Sequence, residues 1–310
     1  NVRGEVVLKS PTSLSGSPSA QAVYEELVYK AYFRARFPSF RITAGKTRLS
    51  WGDGMLFNAG DVLYGSNDTS VTLTQSELRS KTSLLIALNY PLGFFSFAEG
   101  VMLPSEDGNP NHMGFGSRLY TTIRETKVEG GFLSKIVSGE RLHKPYISLQ
   151  GNIGPDWYLS SSLAIPQNGN VGQEIRDSWV ITGGIYHIQA LTNERNLTFR
   201  LEFLTRPFGN WKAESQSDDT CPLLVYPEIT FNPNSSLSWS FRSIISPLDF
   251  SFNASLGVNW AVFEGFSLIG YLSSPFGDEG DLFSWKGQIP SPYGPIDARI
   301  ALTFGASWIF

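Results

Sequence analysis

The feature that most constrains the fold is a strictly alternating stretch at residues 300–310. Every second residue of this stretch is apolar: Ile300, Leu302, Phe304, Ala306, Trp308 and Phe310. The residues between them are small or polar until Ile309. Because side chains alternate between the two faces of a β-strand, the stretch predicts a strand with one apolar and one polar face. An apolar strand at a sheet edge promotes aggregation in a soluble domain, whereas a membrane barrel places such a face against lipid.

The same alternation recurs along the chain. From residue 250 to 262 the even positions are apolar, and from 251 to 259 the odd positions are serine, asparagine or glycine. Counted in this way, the sequence contains about sixteen segments of roughly ten residues, the length of a tilted strand that crosses a bilayer. We therefore expect an all-β fold, a transmembrane antiparallel up-and-down β-barrel that forms a single domain over residues 1–310. Barrels of fourteen or twelve strands are the alternatives.

The connections between these segments also alternate in length. Short connections lie near residues 38, 92, 127, 155, 193, 233 and 264, and long ones start near 11, 52, 104, 166, 207 and 276, with exceptions near 139 and 247. Outer-membrane barrels have short periplasmic turns and longer external loops. Aromatic residues crowd the short connections, as an aromatic belt at one membrane interface requires: Phe37, Phe40, Tyr90, Phe94, Trp157, Phe231, Trp260, Phe263, Phe266 and Phe310.

The final alternating stretch resembles the last strand of the bacterial outer-membrane β-barrel superfamily. The match lies on Leu302, Phe304, Trp308 and Phe310. This resemblance implies that the four residues form the signal read by the barrel-assembly machinery. It also implies location in the bacterial outer membrane, and we expect either that a signal peptide is removed during export or that the sequence has been shortened at its start.

A second resemblance, to porin-like families, covers residues 46–61. It consists of the pair Trp51-Gly52 followed by Phe57-Asn58 and Asp61. Those families often have proline after the asparagine, where this chain has Ala59. The resemblance names no solute.

Composition narrows the classes of function. Charged residues make up 17% of the chain, against about a quarter in a typical soluble protein. The net charge of -4 gives no indication of nucleic-acid binding. The three histidines, His112, His143 and His187, show no metal-ligand spacing, and Cys221 is the single cysteine. We expect no catalytic residues, no metal and no cofactor.

The segment from 52 to 79 is the best candidate for a functional element. It is rich in glycine and apolar residues, and a loop of this length with that content needs burial. We expect it to fold inward and narrow a pore, so that its acidic residues, which include Asp68 and Glu77, face basic residues of the wall. Such apposed charges make a transverse field, and basic rings favour anions. The candidate lining residues are Lys30, Arg34, Arg36, Lys46, Arg48, Asp53, Asp61, Arg118, Arg124, Arg200, Glu202, Arg242 and Arg299. The alternative that these charges form salt-bridged surface pairs stays open.

The sequence thus predicts a porin-like channel for passive diffusion of small hydrophilic solutes, leaning towards anions. One alternative is an outer-membrane transporter of hydrophobic compounds, and another is a non-conducting surface adhesin or structural barrel. The expected partners are outer-membrane lipid, the barrel-assembly machinery and small solutes, but not nucleic acid. A homo-oligomer is left open, and a soluble all-β binding module is the fallback.

Overall fold

The computed structural model describes residues 2–8, 27–65, 73, 78, 81–105, 108–137, 139–168, 171–191, 194–212, 221–278, 280–283 and 300–308. These residues contain one α-helix, α1 (Val171–Ser178), a 3-10 turn at Pro110–His112 and seventeen β-strands. The strands are β1 (Val2–Leu8), β2 (Val28–Arg36), β3 (Arg41–Thr47), β4 (Ser83–Gly93), β5 (Ser96–Leu103), β6 (Gly114–Ile123), β7 (Thr126–Val137), β8 (Glu140–Asn152), β9 (Asp156–Ser162), β10 (Ile165–Pro166), β11 (Val180–Ala190), β12 (Asn196–Thr205), β13 (Leu223–Asn234), β14 (Leu237–Ser246), β15 (Ser251–Phe263), β16 (Phe266–Phe276) and β17 (Ala301–Trp308). None of the described helices has the length and apolar character needed to span a membrane.

The strands form one antiparallel up-and-down sheet. Each strand from β1 to β9 pairs with the next, β9 pairs with β11, and each strand from β11 to β17 again pairs with the next. The two-residue β10 pairs with β8 inside a long connection. Sixteen full strands therefore follow chain order, which confirms the fold class and strand number predicted from the sequence. Within the described residues, no backbone pairing joins β1 to β17.

The two faces of the sheet have opposite chemistry and opposite exposure. On β4, Leu84, Ile86 and Leu88 are exposed, whereas Leu85 and Ala87 on the other face are buried. Further along the sheet, the buried face carries carboxylates such as Glu202, which is 0% exposed. Soluble proteins bury apolar side chains and expose charged ones. The reversed arrangement suits a protein whose outer face contacts lipid and whose inner face is polar.

Short turns gather at one end of the sheet, as the alternation of connection lengths predicts. They include residues 94–95, 124–125, 235–236 and 264–265. Exposed aromatic residues lie at or beside this end: Phe37, Tyr90, Phe94, Trp260 and Phe263. Stacked pairs strengthen the aromatic row, with ring centroids 4.6 Å apart for Phe37–Phe40 and 4.9 Å apart for Phe263–Phe266. This end of the sheet therefore carries the aromatic belt expected at a membrane interface.

Several strand boundaries differ from those that the alternating pattern predicts, and three of them show the reason. Strand β3 ends at Thr47 rather than at residue 51, because the chain leaves the sheet there and turns to the inner face. The turn after β4 lies at 94–95, and Pro91 remains in the strand. Strand β8 begins at Glu140 and so is longer than the expected span of 146–152. In the last two cases the pairing with the neighbouring strand outweighs the local turn signals.

A charge on the outer face is expected to destabilise the barrel strongly. Leu256 is 48% exposed and lies between Phe241 and Leu272 on neighbouring strands. Arginine at the bilayer midplane of a barrel costs about 2–4 kcal/mol. We therefore expect Leu256→Arg to lower the free energy of unfolding in lipid vesicles by that amount, as measured by urea titration. Leu256→Ala is the size control, and an equal loss for the two variants would contradict lipid contact at this site.

Candidate functional site

Residues 48–65, here called the inner segment, leave strand β3 and pack against the inner face of the sheet. Their apolar side chains are buried, and Trp51 and Phe57 are 0% exposed. Leu56 and Phe57 pack with apolar residues of β11–β14, and Trp51, Val62 and Leu63 pack with those of β4, β5, β7 and β8. Most of these wall residues lie near the strand ends that join the long loops: Val180, Leu204, Leu224, Ile244, Leu85, Val101 and Leu133. At this level these residues form an apolar patch on the wall, here called the apolar seat. Elsewhere the wall carries polar groups.

Glu202 on β12 anchors the middle of the inner segment. Its carboxylate accepts hydrogen bonds from three consecutive backbone N–H groups, those of Met55 at 2.7 Å, Leu56 at 2.8 Å and Phe57 at 2.9 Å. The Tyr158 hydroxyl donates to the Phe57 carbonyl at 2.8 Å. Because hydrogen bonds to a charged acceptor are stronger than neutral ones, this arrangement holds the turn of the segment firmly against the wall.

A second anchor holds the start of the inner segment. The Trp51 indole N–H donates to Glu99 at 2.9 Å, and the Gly52 N–H donates to Glu129 at 2.8 Å. Arg118 lies between the two carboxylates, 2.8 Å from Glu99 and 3.0 Å from Glu129. The Tyr146 hydroxyl donates a 2.5 Å hydrogen bond to Glu129. These groups satisfy one another, as buried charges require.

Further contacts hold the remainder of the segment. Ala59 N–H donates to the Thr182 hydroxyl at 2.9 Å. Arg48 forms a 2.5 Å ion pair with Asp61, and the Lys135 ammonium donates to the Leu63 carbonyl at 2.8 Å. The inner segment is therefore bonded to strands β5, β7, β9, β11 and β12.

A row of alternating charges crosses strands β12 to β14 beside the first anchor. Strand register places Arg200, Glu228 and Arg242 opposite one another. Glu228 lies 3.2 Å from Arg200 and 2.9 Å from Arg242, and Arg200 lies 3.3 Å from Glu202. The arginines of this wall are thus paired with wall carboxylates, and Asp61 pairs with Arg48 of its own segment. The Arg48–Asp61 pair is one of the expected contacts between the acidic segment and the basic candidates, whereas Arg118, Arg200 and Arg242 pair with carboxylates of the wall itself.

Other candidate residues from the sequence have separate positions. Lys30, Arg34 and Arg36 alternate with Phe33 and so share the inner face of β2. Arg34 Nε donates to the Thr43 hydroxyl at 3.3 Å. Burial and then the charge of Glu129 raise the pKa of Asp53, which lies in the inner segment.

Two candidates, Lys46 and Arg124, do not join the lumen wall, and a third lies outside the described residues. Lys46 lies on the outer, apolar face with Ile42, because it alternates with the buried Thr47. The prediction that it lines the lumen is therefore wrong. Arg124 is exposed in the turn after β6, with a φ of 58°. Arg299 lies outside the described residues, as do Asp68 and Glu77.

Sequence reasoning missed the carboxylates Glu99, Glu129 and Glu228. The available signal was an acidic residue in the middle of an alternating strand, at a position that faces inward with its polar neighbours. That signal does not identify a partner, because the pairing of Glu99 with Arg118 depends on the register between strands.

Two cavities flank the inner segment, and Gly54 lines both. The first has a volume of about 300 Å³ and is lined by Tyr29, Lys30, Arg48, Ser50, Gly52, Gly54 and Asn58. The second has a volume of about 260 Å³ and is lined by Asp53, Gly54, Gln150, Asp156, Trp157, Tyr158, Ile185, Tyr186, Arg200 and Glu202. The inner segment thus separates a basic cleft near β2 from an acidic and aromatic cleft near β8–β12.

Glycine is required at position 52 for both conformation and space. Its φ is +65°, and an added Cβ would lie 2.6 Å from Asn58 Oδ1 and 2.7 Å from Gly60 Cα. Gly65 has a similar φ of +70° with open space around it. We expect Gly52→Ala to lower the free energy of unfolding by about 1–3 kcal/mol more than Gly65→Ala, because only the first adds overpacking to the backbone strain. Equal losses in urea titrations would contradict the tight seating of the segment.

Comparison with known proteins identifies the fold. No protein-family model matches the chain, and no curated protein matches its sequence. Among solved structures, the chain is similar to Wzi of Escherichia coli, described as a carbohydrate-binding β-barrel of the outer membrane involved in group 1 capsule assembly. That similarity has a TM-score of 0.57 and 10% identity, and covers 90% of this chain and 70% of Wzi.

The chain is also similar to OccK11 (OpdR) of Pseudomonas aeruginosa. The TM-score is 0.53 at 9% identity, and the match covers 91% of this chain and 80% of OccK11. At this level of identity the likeness concerns the fold. It agrees with the location expected from the sequence, since these neighbours are bacterial outer-membrane proteins. The chain has the fold of the bacterial outer-membrane β-barrels, the class that includes the porins and other outer-membrane channels.

Proposed function

We propose that the protein is a porin-like channel for passive diffusion of small hydrophilic solutes across the outer membrane, with a preference for anions. The observation that carries this proposal is the polar inner face, narrowed by an anchored inner segment that leaves the first cavity between itself and β2. Lys30 and Arg48 line that cavity. A narrowed polar passage with charged walls sorts solutes by size and charge.

The preference for anions follows from the distribution of charge around the inner face. On β1–β3 this face carries five basic residues and the single carboxylate of Glu5, which accepts a hydrogen bond from Tyr32. The basic residues are Arg3, Lys30, Arg34, Arg36 and Arg41, and register places Arg3 opposite Arg34 and Arg36 opposite Arg41. On β5–β7 and β12–β14 the arginines are paired with glutamates. The net potential is therefore most positive beside β1–β3.

Reconstitution in planar bilayers tests the proposal. We expect stepwise single-channel currents and, in a salt gradient, a reversal potential that favours anions. Liposome swelling with neutral and charged sugars then measures the size and charge limits. A folded protein that inserts into the bilayer, as judged by a heat-dependent gel shift, without any current steps would contradict the channel.

A barrel that binds carbohydrate without conducting is the second candidate. The second cavity favours it, because tyrosine rings combined with carboxylate, amide and guanidinium groups suit hydroxyl-rich ligands. The similarity in fold to Wzi, described as a carbohydrate-binding β-barrel, adds support. Absence of conductance together with saturable binding of an oligosaccharide would favour this candidate. A transporter of hydrophobic compounds is not favoured, because its lumen would be apolar.

A further inference from the structure

We infer that solutes pass the inner segment on one side only, through the cleft beside β2, and that Lys30 on this path determines charge selectivity. This inference rests on the proposed channel function. It goes beyond that function because it places the path within the lumen and assigns the selectivity to a residue. The second cavity, on the other side of the segment, is then a closed end.

The anchors of the inner segment lie on one side. Hydrogen bonds join it to Glu99, Glu129, Tyr158, Thr182 and Glu202, which belong to five strands between β5 and β12. The apolar contacts of the segment extend this side from β4 to β14. The segment is thus pressed against the wall opposite the β1–β2 and β15–β17 region.

Burial of the inner face shows the same asymmetry. On β11–β14, inner-face residues such as Thr182 and Glu228 are buried. On β1, Arg3 and Glu5 are exposed, and on β17 the inner-face Thr303, opposite Tyr271, is exposed as well. Exposure of polar residues on the inner face indicates water-accessible space. On β15 and β16 the inner-face Ser251, Ser255 and Tyr271 are buried, so the space left by the segment lies beside β17, β1 and β2.

The first cavity borders β2, the strand on which the inner-face Arg34 and Arg36 are exposed. Its wall is formed by Tyr29 and Lys30 on β2, and its opposite side by Gly52, Gly54 and Asn58 of the inner segment. Glycines at two of these positions contribute no side chain to the passage. The Lys30 ammonium lies 5.2 Å from the centre of the Tyr29 ring, at the level where the segment narrows the lumen. An anion that passes between β2 and the inner segment would meet this charge.

The second cavity cannot widen without loss of the anchors. Glu202 and Tyr158 line it while bonding to the inner segment, and Arg200 lines it while pairing with Glu202 and Glu228. A solute that crossed here would have to break these buried hydrogen bonds and ion pairs, most of which involve a charged group and are therefore stronger than neutral ones. Passage on this side is therefore much slower than passage beside β2.

Matched charge changes test the path. Lys30→Gln and Gln150→Glu each lower the net charge by one unit, the first on the proposed path and the second in the closed cavity. We expect Lys30→Gln to shift the reversal potential in a salt gradient towards cations, and Gln150→Glu to leave it within error of the parent. An equal or larger shift for Gln150→Glu would overturn the inference.

Cysteine modification gives an independent readout. In a Cys221→Ser background, which removes the single native thiol, Lys30→Cys and Gln150→Cys are treated with a sulfonate-bearing methanethiosulfonate reagent, and modification is verified by mass spectrometry. We expect modified Lys30→Cys channels to lose much of their current and modified Gln150→Cys channels to retain it. The reverse result would overturn the inference. If the parent protein passes no current at all, the proposed channel function fails first, so the two failures are distinguishable.

Discussion

Replacement of residues 52–79 by a short glycine-serine linker is expected to raise the single-channel conductance several-fold. The inner segment packs against strands β4–β14, so its removal opens the greater part of the lumen. The linker is geometrically feasible because β3 and β4 are paired neighbours, with Thr47 opposite Ser83. At the same end, Arg48 Nη1 donates to the Lys81 carbonyl at 3.1 Å.

The deletion also exposes buried charges, so its folding needs a separate check. Glu202 and Glu129 lose their partners in the segment but gain water in the opened lumen, whereas Glu99 keeps its hydrogen bond from Trp51, which is not deleted. We expect the variant to keep the heat-dependent gel shift of a folded barrel and to unfold at lower urea concentration. A folded variant whose conductance is unchanged would rule out the inner segment as a constriction.

Truncation of the Glu202 anchor is expected to have the largest effect of any single substitution on the inner face. Glu202→Ala leaves three backbone N–H groups without their acceptor in a buried site, and Arg200 keeps only Glu228 as its partner. Removal of one partner from a buried ion pair typically costs about 3–5 kcal/mol. We expect a loss of that size in the free energy of unfolding, measured by urea titration with tryptophan fluorescence in lipid vesicles.

Two comparison variants separate the charge from the packing. Glu202→Gln retains one acceptor oxygen, so its loss is expected to lie between those of the wild type and Glu202→Ala. Glu5→Ala removes an exposed hydrogen bond with Tyr32 and is expected to cost no more than about 1 kcal/mol. A loss for Glu202→Ala as small as that for Glu5→Ala would show that the carboxylate does not position the segment.

If Glu202→Ala loosens the anchor without unfolding the barrel, we expect the single-channel current to change as well. The turn at residues 55–57 is then free to move within the lumen, and the current is expected to fluctuate between levels. Glu202→Gln should show fewer such fluctuations than Glu202→Ala. A steady current in both variants would indicate that the apolar seat alone holds the segment.

Local pattern was sufficient to predict the strands and their faces. In β15, the alternation of Phe252 and Leu256 with Ser251 and Ser255 is a property of neighbouring residues, and each strand repeats it. Because the period of a strand is two, the pattern assigns a face to each side chain without knowledge of its partner. The same reasoning placed Arg200 and Glu202 together on the inner face.

Local pattern was insufficient where the chain leaves its strand. Lys46 was expected in the lumen, but β3 runs with Thr43 and Thr47 facing inward, so Lys46 faces outward. The turn from Thr47 to Trp51, by which the chain leaves β3, depends on the apolar residues of β4–β8 that pack against Trp51. Nothing within residues 40–51 specifies those packing partners.

The sequence by itself determined the sheet, the apolar outer face and the end of the barrel at which aromatic residues gather. Only the tertiary structure decided which charges meet and where the inner segment lies. Met55 and Glu202 are 147 positions apart in the chain. Their contact exists because eight intervening strands bring β12 round to face the segment. In the low dielectric of that interior a buried carboxylate without a hydrogen-bond donor is unfavourable, so each carboxylate is paired with a donor within reach.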